Sequence, residues 1–178
     1  MSNLEKRIEI LTKAELRNVL KRLTAEILEK IDNPQNLILM GIPTRGVNLS
    51  EVIALEISKK IGYEVEKGII DPTFYRDDQS KVGTKSIKVD SIPSSLDEKE
   101  IILIDDVIYT GRTARAAMEA LNFWGRPKKV KLLTMIDRGH RELPIQPDFC
   151  GKQVSTNKDQ NIELRLKSLE KFEGVFLV

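Results

Sequence analysis

Residues 101–113 read IILIDDVIYTGRT: four apolar side chains, the adjacent carboxylates Asp105 and Asp106, two further apolar residues, and a hydroxyl-bearing turn around Gly111. A short continuous apolar run suits a strand buried on both faces of a parallel sheet. The segment after the turn, TARAAMEALNFWG (113–125), has helical character. The turn therefore offers unpaired backbone N–H groups and the positive end of a helix dipole at the carboxyl end of the strand. Such a turn can cradle a phosphate: Gly111 carries no side chain to block close approach, and Thr110 and Thr113 add hydroxyl donors. The two carboxylates just before it repel phosphate but accept hydrogen bonds from hydroxyl groups. Together they suit a phosphorylated sugar with a vicinal diol, and they favour a nearby divalent cation. A lone pattern of this kind also describes an ordinary capped helix, so the flanking chain has to decide between the two.

The flanking chain repeats the strand-helix unit. NLILMGI (36–42) is a second continuous apolar run, followed by GVNLSEVIALEISKKIG (46–62), in which Leu49, Val52, Ile53, Ile57 and Ile61 form a helical stripe. Upstream, TKAELRNVLKRLTAEILEKI (12–31) places Leu16, Val19, Leu20, Leu23, Ile27 and Ile31 at helical spacing, and Thr12 and Glu15 stand in the relation of a capping box. KVKLLTMI (129–136) reads as another buried strand. The alternation predicts an α/β fold with a central, mainly parallel sheet flanked by helices. Between these units, DDQSKVGTKSIKVD (77–90) is polar around Gly83 and reads as a flexible arm or exposed hairpin. In NIELRLKSLEKFEGVFLV (161–178), the alternation Ile162, Leu164, Leu166 and the final apolar run predict extra strands in a small hood region. The expected organisation is a single domain over residues 1–178.

Composition narrows the function classes. The 29 Lys and Arg against 27 Asp and Glu give a net charge of +2, so any contact with nucleic acid must use a local patch and not a global field. One cysteine, Cys150, and one histidine, His140, exclude an internal disulfide and a Cys/His zinc site. A reduced, cytoplasmic setting is expected, without a targeting segment or membrane span, since nothing approaches about 18 uninterrupted apolar residues. The chain has neither GxxxxGK[ST] nor GxGxxG, so it fits neither P-loop nor dinucleotide phosphate binding.

With these residues in view, IILIDDVIYTGRT (101–113) resembles the phosphoribosyl pyrophosphate (PRPP) binding motif of type I phosphoribosyltransferases. DDVIYTGRT, taken with GRPKKV (125–130) and DRGHRELPI (137–145), is similar to the group that combines regulation of the pyrimidine operon with uracil phosphoribosyltransferase activity. Tyr109 is bulky where many members of the wider family have a small residue. The resemblance implies a PRPP site in which Asp105 and Asp106 orient the 2- and 3-hydroxyls and Tyr109, Thr110, Gly111, Arg112 and Thr113 hold the 5-phosphate. GIPTRGVNL (41–49) resembles the pyrophosphate loop, with Thr44, Arg45 and Gly46 as its ligands and, in family members, a non-proline cis peptide. DPTFYRDDQSK (71–81) resembles the flexible catalytic loop, with Arg76 folding over the leaving pyrophosphate. Mg2+ is the implied cofactor, carried mainly by PRPP; its protein ligands are left unassigned. Uracil would lie above the end of the 129–136 strand, against Asp137 and Arg138.

The same resemblance implies UMP-responsive binding to pyrimidine-operon leader mRNA. Lys13, Arg17 and Lys21 stand at i, i+4 spacing on one edge of the first helix, and Lys30, His140, Arg141 and Lys152 are further candidate contacts. His140, in a loop beside Arg141, reads as a surface or RNA-contacting residue and not a catalytic one. Two positions depart from the regulator pattern: Ala25 stands where members can have histidine, and Gln146 stands where an arginine follows RELPI. The residues leave three readings open: transferase and RNA regulator, transferase alone, or nucleotide sensor with negligible turnover. A homo-oligomer is expected in each.

Overall fold

The computed structural model describes residues 7–77, 90–93, 95–166 and 173–178. The expected arm over 77–90 lies outside the described residues except for its end positions, Asp77 and Asp90. Eight strands lie among the described residues: β1 (Ile8–Leu11), β2 (Leu37–Gly41), β3 (Glu66–Ile69), β4 (Glu100–Ile108), β5 (Lys129–Asp137), β6 (Phe149–Gln153), β7 (Ile162–Arg165) and β8 (Gly174–Leu177). The described helices are α1 (Lys13–Lys30), α2 (Arg45–Ile61) and α3 (Arg112–Trp124), with short 3-10 turns at Pro34–Asn36 and Thr73–Tyr75. None is long and apolar enough to cross a membrane.

The apolar runs do what their composition demands. All five residues of β2 and the first five of β4 are buried, as in a sheet covered on both faces. Strand order is β3-β2-β4-β5-β6, every pairing parallel. One face packs on α1 and α2 through Leu23, Ile27, Leu49, Ile53 and Ile57 against Leu39, Ile102, Leu133 and Phe149. The other packs on α3 through Ala114, Ala117, Ala120 and Leu121. The predicted helix bounds hold to within a residue, and Gly62 ends α2 at φ +84, in the left-handed region that a glycine adopts without cost.

The order of strands determines where a ligand can sit. From β2 the chain passes through α2 to β3 on one side, whereas from β4 it passes through α3 to β5 and β6 on the other. The two connections diverge and open a crevice at the carboxyl ends of β2 and β4, the place where open α/β sheets bind ligands. The predicted 36–42 run and the apolar run that opens 101–113 belong to these two strands, with one difference. β4 continues to Ile108, because Val107 and Ile108 remain in register with Ile136 and Asp137 of β5. The acidic pair therefore lies inside the strand and not at its end.

β1, β8 and β7, in that order, form a separate three-stranded antiparallel sheet, the hood. The predicted C-terminal strands are its β7 and β8. β1, β3 and β6 are short or polar and were not legible as strands in the sequence.

The capping box of α1 is complete: the Glu15 carboxylate accepts from the Thr12 backbone N–H at 2.8 Å, and the Thr12 hydroxyl accepts from the Glu15 N–H at 3.3 Å. Thr12→Ala removes one arm of the box at a cost of about 1 kcal/mol. In a domain of this size the thermal midpoint should fall by about 2–4 °C. A midpoint unchanged in calorimetry would mean that the box does not hold the helix start.

Candidate active site

Two turns meet at the crevice. The first, residues 42–46, leaves β2, and its Ile42 N–H donates to the Ile104 carbonyl at 2.9 Å. The Pro43–Thr44 peptide bond is cis. Gly46 lies so close to β4 that a Cβ there would sit 2.3 Å from the Ile104 oxygen and 3.2 Å from the Asp105 Cα. Any larger residue would push the turn away from the acidic pair. Thr44 is exposed, while Arg45 reaches sideways to Glu163 of the hood, with Nη2 to Oε1 at 3.0 Å.

The second turn, residues 109–113, leaves β4. Gly111 has φ +92, a conformation a side chain rarely adopts, and it caps α3. The Thr110 hydroxyl accepts from the Arg112 N–H at 3.3 Å, and the Thr110 carbonyl accepts from the N–H groups of Glu142 and Leu143 at 3.0 and 3.2 Å. The DRGHRELPI segment thus forms the back wall of this turn. Arg112 ties the two together, donating from Nε to Glu142 at 2.7 Å and pairing with Asp77 on its other side.

Beside the second turn lies a cavity of about 350 Å³, lined by Arg76, Asp105, the whole 109–113 turn, Leu132 and Thr134 among others. Arg76 Nη1 donates to the Thr113 hydroxyl at 2.6 Å, so the guanidinium already sits on the phosphate-type turn. Arg115 anchors the same segment by donating to the Tyr75 carbonyl at 2.7 Å. The Asp106 N–H donates to Asp105 Oδ1 at 2.9 Å. Asp105 is half-buried, and burial first, then repulsion from Asp106, pushes its carboxyl well above the usual carboxylate range. An acid held in this way gains from a ligand that donates hydrogen bonds to its ionised form.

Asp137 ends β5 and Arg138 follows it; they are 7% and 6% exposed, which means that both must be satisfied internally. Asp137 accepts from Arg141 Nη2 at 2.7 Å and from the Gly139 N–H at 2.9 Å. Arg138 donates to the Thr156 hydroxyl at 3.0 Å and to the carbonyls of Asn157 and Gln160 at 3.0 and 2.5 Å, with its guanidinium 4.3 Å from the centre of the Tyr109 ring. Their side chains shape the 139–146 and 156–160 loops. His140, at φ +59, approaches the Thr156 carbonyl at 2.6 Å and packs edge-on against Tyr109.

Most candidates for the basic surface have partners too. Lys13 and Arg17 pair with Glu173 at 2.6 and 3.5 Å. Lys152 donates to the Ile10 carbonyl at 3.0 Å, Arg141 is bound to Asp137, and the Lys30 ammonium lies 5.2 Å from the centre of the Phe149 ring. Lys21 is exposed and makes no ion pair with a described residue. The sequence reading missed Arg115, Glu142 and Glu163. Glu142 was within reach as part of the DRGHREL stretch, but Glu163 acts across 118 residues of chain and has no local signal.

Residues 8–169 match the phosphoribosyl transferase domain family. Among curated proteins, the chain is 46% identical to the bifunctional protein PyrR of Microcystis aeruginosa, over 96% of this chain and 97% of that one. It is 41% identical to that of Latilactobacillus sakei, over 94% and 95%. Solved structures with the same fold include a hypoxanthine phosphoribosyltransferase from Staphylococcus aureus, with TM-score 0.69, 20% identity and coverage of 94% of this chain and 89% of that one. Another is the Trypanosoma cruzi hypoxanthine phosphoribosyltransferase in a ternary substrates complex, with TM-score 0.73, 14% identity and coverage of 97% and 95%. With two loop-bearing strand ends flanking an acidic pair and near-complete coverage by these relatives, the chain belongs to the phosphoribosyltransferase family and, within it, to the group of bifunctional PyrR proteins.

Proposed function

We propose that the protein transfers the phosphoribosyl group of PRPP to uracil, giving UMP and pyrophosphate, and that it binds pyrimidine-operon leader mRNA in response to UMP. The observation that carries the transferase reading is that Asp105 both abuts Gly46 of the 42–46 turn and lines the cavity formed by the 109–113 turn. The identity of the base rests on the PyrR relatives, since purine-specific enzymes share the fold.

Displacing pyrophosphate from the anomeric carbon builds cationic character on the sugar and negative charge on the leaving group, so the protein has to orient and neutralise more than attack. The 109–113 turn holds the 5-phosphate. Asp105 and Asp106 accept hydrogen bonds from the ribose hydroxyls, and Thr44, Arg45 and Gly46 take the pyrophosphate. Arg76, resting on Thr113 within the cavity, supplies a cation from the root of the catalytic loop. Asp105 and Asp106 are hard oxygen donors that suit Mg2+, and the described residues bring together no group of three or more His, Cys, Asp or Glu, which fits an ion carried by the diphosphate. When bound, Mg2+ neutralises charge on the leaving group. Uracil meets backbone groups of the loops that the buried Asp137 and Arg138 side chains hold in place.

For RNA, Lys21 and its neighbours on α1 are the proposed contact edge. A second reading, transferase activity without regulation, is favoured by the internal pairing of Lys13, Arg17 and Arg141, which leaves a smaller basic surface.

Purified protein with Mg2+, PRPP and uracil should form UMP, followed by chromatography of the nucleotide. Equal or faster turnover of hypoxanthine or guanine would overturn the pyrimidine assignment. Asp105→Asn should weaken binding of UMP while stabilising the ligand-free fold. The folded-state acid is harder to ionise than the unfolded one, so below about pH 3.9 both states are protonated and the substitution is neutral. As pH rises through the elevated folded value, ionisation increasingly favours unfolding, and the gain from Asn grows to a plateau. The melting point should then rise by about 2–4 °C for each kcal/mol of penalty removed, and a gain independent of pH would refute the assignment. Finally, UMP should tighten binding to a leader hairpin, and Lys21→Glu should lower that affinity and reduce the salt slope by about one while leaving UMP synthesis intact. Binding indifferent to UMP at low salt would leave the transferase role alone.

A further inference from the structure

A chain of charged side chains links the 42–46 turn to the hood. Arg45, the first residue of α2, donates from Nη2 to Glu163 Oε1 at 3.0 Å. The other oxygen of Glu163 accepts from Nε and Nη2 of Arg165 at 3.1 and 2.8 Å. The Arg165 guanidinium in turn lies 5.4 Å from the centre of the Phe176 ring, on the strand that pairs with β7 opposite Glu163. All three charged residues are half-buried. Burial alone would raise the Glu163 carboxyl, but Arg165 and Arg45 outweigh it and hold the group below the usual range, so it is ionised at neutral pH.

The geometry of this chain is unequal. Arg165 grips one carboxylate oxygen with two donors and is itself packed on an aromatic ring, whereas Arg45 reaches the other oxygen from Nη2. A long side chain that is loose must be ordered when its ligand arrives, and one already held by a fixed partner does not.

We propose that Glu163 is a positioning residue: anchored by Arg165, it holds the Arg45 guanidinium at the 42–46 turn so that the diphosphate of PRPP meets a pre-ordered cation. This rests on the reading of residues 44–46 as the diphosphate turn. A competing effect has the opposite sign, since a carboxylate beside an anion site can also rival the anion for Arg45. Arg165 already engages the Glu163 charge, so ordering outweighs competition.

The test uses the full chain with Glu163→Gln, Arg45→Gln and the double variant, titrating PRPP with Mg2+ and, separately, UMP, which carries ribose phosphate and base but no diphosphate. Glu163→Gln should weaken PRPP binding by about three- to tenfold, the scale of immobilising one long side chain. UMP affinity should stay unchanged and kcat should stay within about twofold. In the Arg45→Gln background, the added loss should fall below about twofold. Tighter PRPP binding would make Glu163 a competitor, an equal loss of UMP would make it a general hood residue, and an unchanged increment without Arg45 would uncouple the pair; each result overturns the proposal. If Arg45→Gln weakens PRPP and Glu163→Gln does not, the turn reading stands and the positioning role is lost. If Arg45→Gln leaves PRPP affinity intact, the turn reading fails and the proposal falls with it.

Discussion

The approach of Gly46 to the Ile104 carbonyl is the contact on which the site depends. With no room for a Cβ, the 42–46 turn lies against β4 immediately before Asp105. The parallel β2–β4 pairing sets the end of β2 level with the middle of β4, Gly41 beside Ile104, and the Ile42 N–H extends that ladder by one bond. Two loops that are more than 60 residues apart in the chain therefore share one crevice. Their separation is set by backbone sterics and the sheet ladder, which do not relax when a side chain changes rotamer.

Around this fixed geometry the charges are arranged at a cost. Asp105 is kept where burial and Asp106 both oppose its ionisation, an arrangement a stability-selected core would avoid. Arg112 stands between Asp77 and Glu142, and Arg76 rests on a hydroxyl. The cavity wall thus carries Arg76 and Arg112, each engaged by a hydroxyl or carboxylate partner, beside the Asp105 carboxyl whose ionisation is opposed.

The sequence made the central layers legible because their signals are local. Continuous apolar runs marked β2, β4 and β5; helical stripes marked α1 and α2; and the Thr12–Glu15 pair marked a helix start that the structure realises as a complete capping box. Both turns were legible from their glycines and hydroxyls. What escaped was set by tertiary partners. The extension of β4 through Val107 and Ile108 depends on β5, the short strand β3 depends on its neighbour β2, and β1 depends on β8 at the far end of the chain. At the site, Asp137 and Arg138 were visible as charges after a buried strand. That their side chains turn inward to Arg141 and to the 156–160 loop follows only from what surrounds them.

The order of strands in the hood has a consequence for synthesis. Its central strand, β8, is the last to be made, and its outer strand β1 is the first. Until residues 174–177 leave the ribosome, β1 and β7 have nothing to pair with, although the five strands of the main sheet are already complete. The main sheet can thus assemble from the amino end during translation, whereas the hood must wait for residues 174–177. Arg45 then has no paired β7 to reach until β8 has been made. A chain without residues 174–177 would carry the 42–46 and 109–113 turns with the hood unpaired, so the Arg45–Glu163 contact is built on a strand that is made after every element of the main sheet.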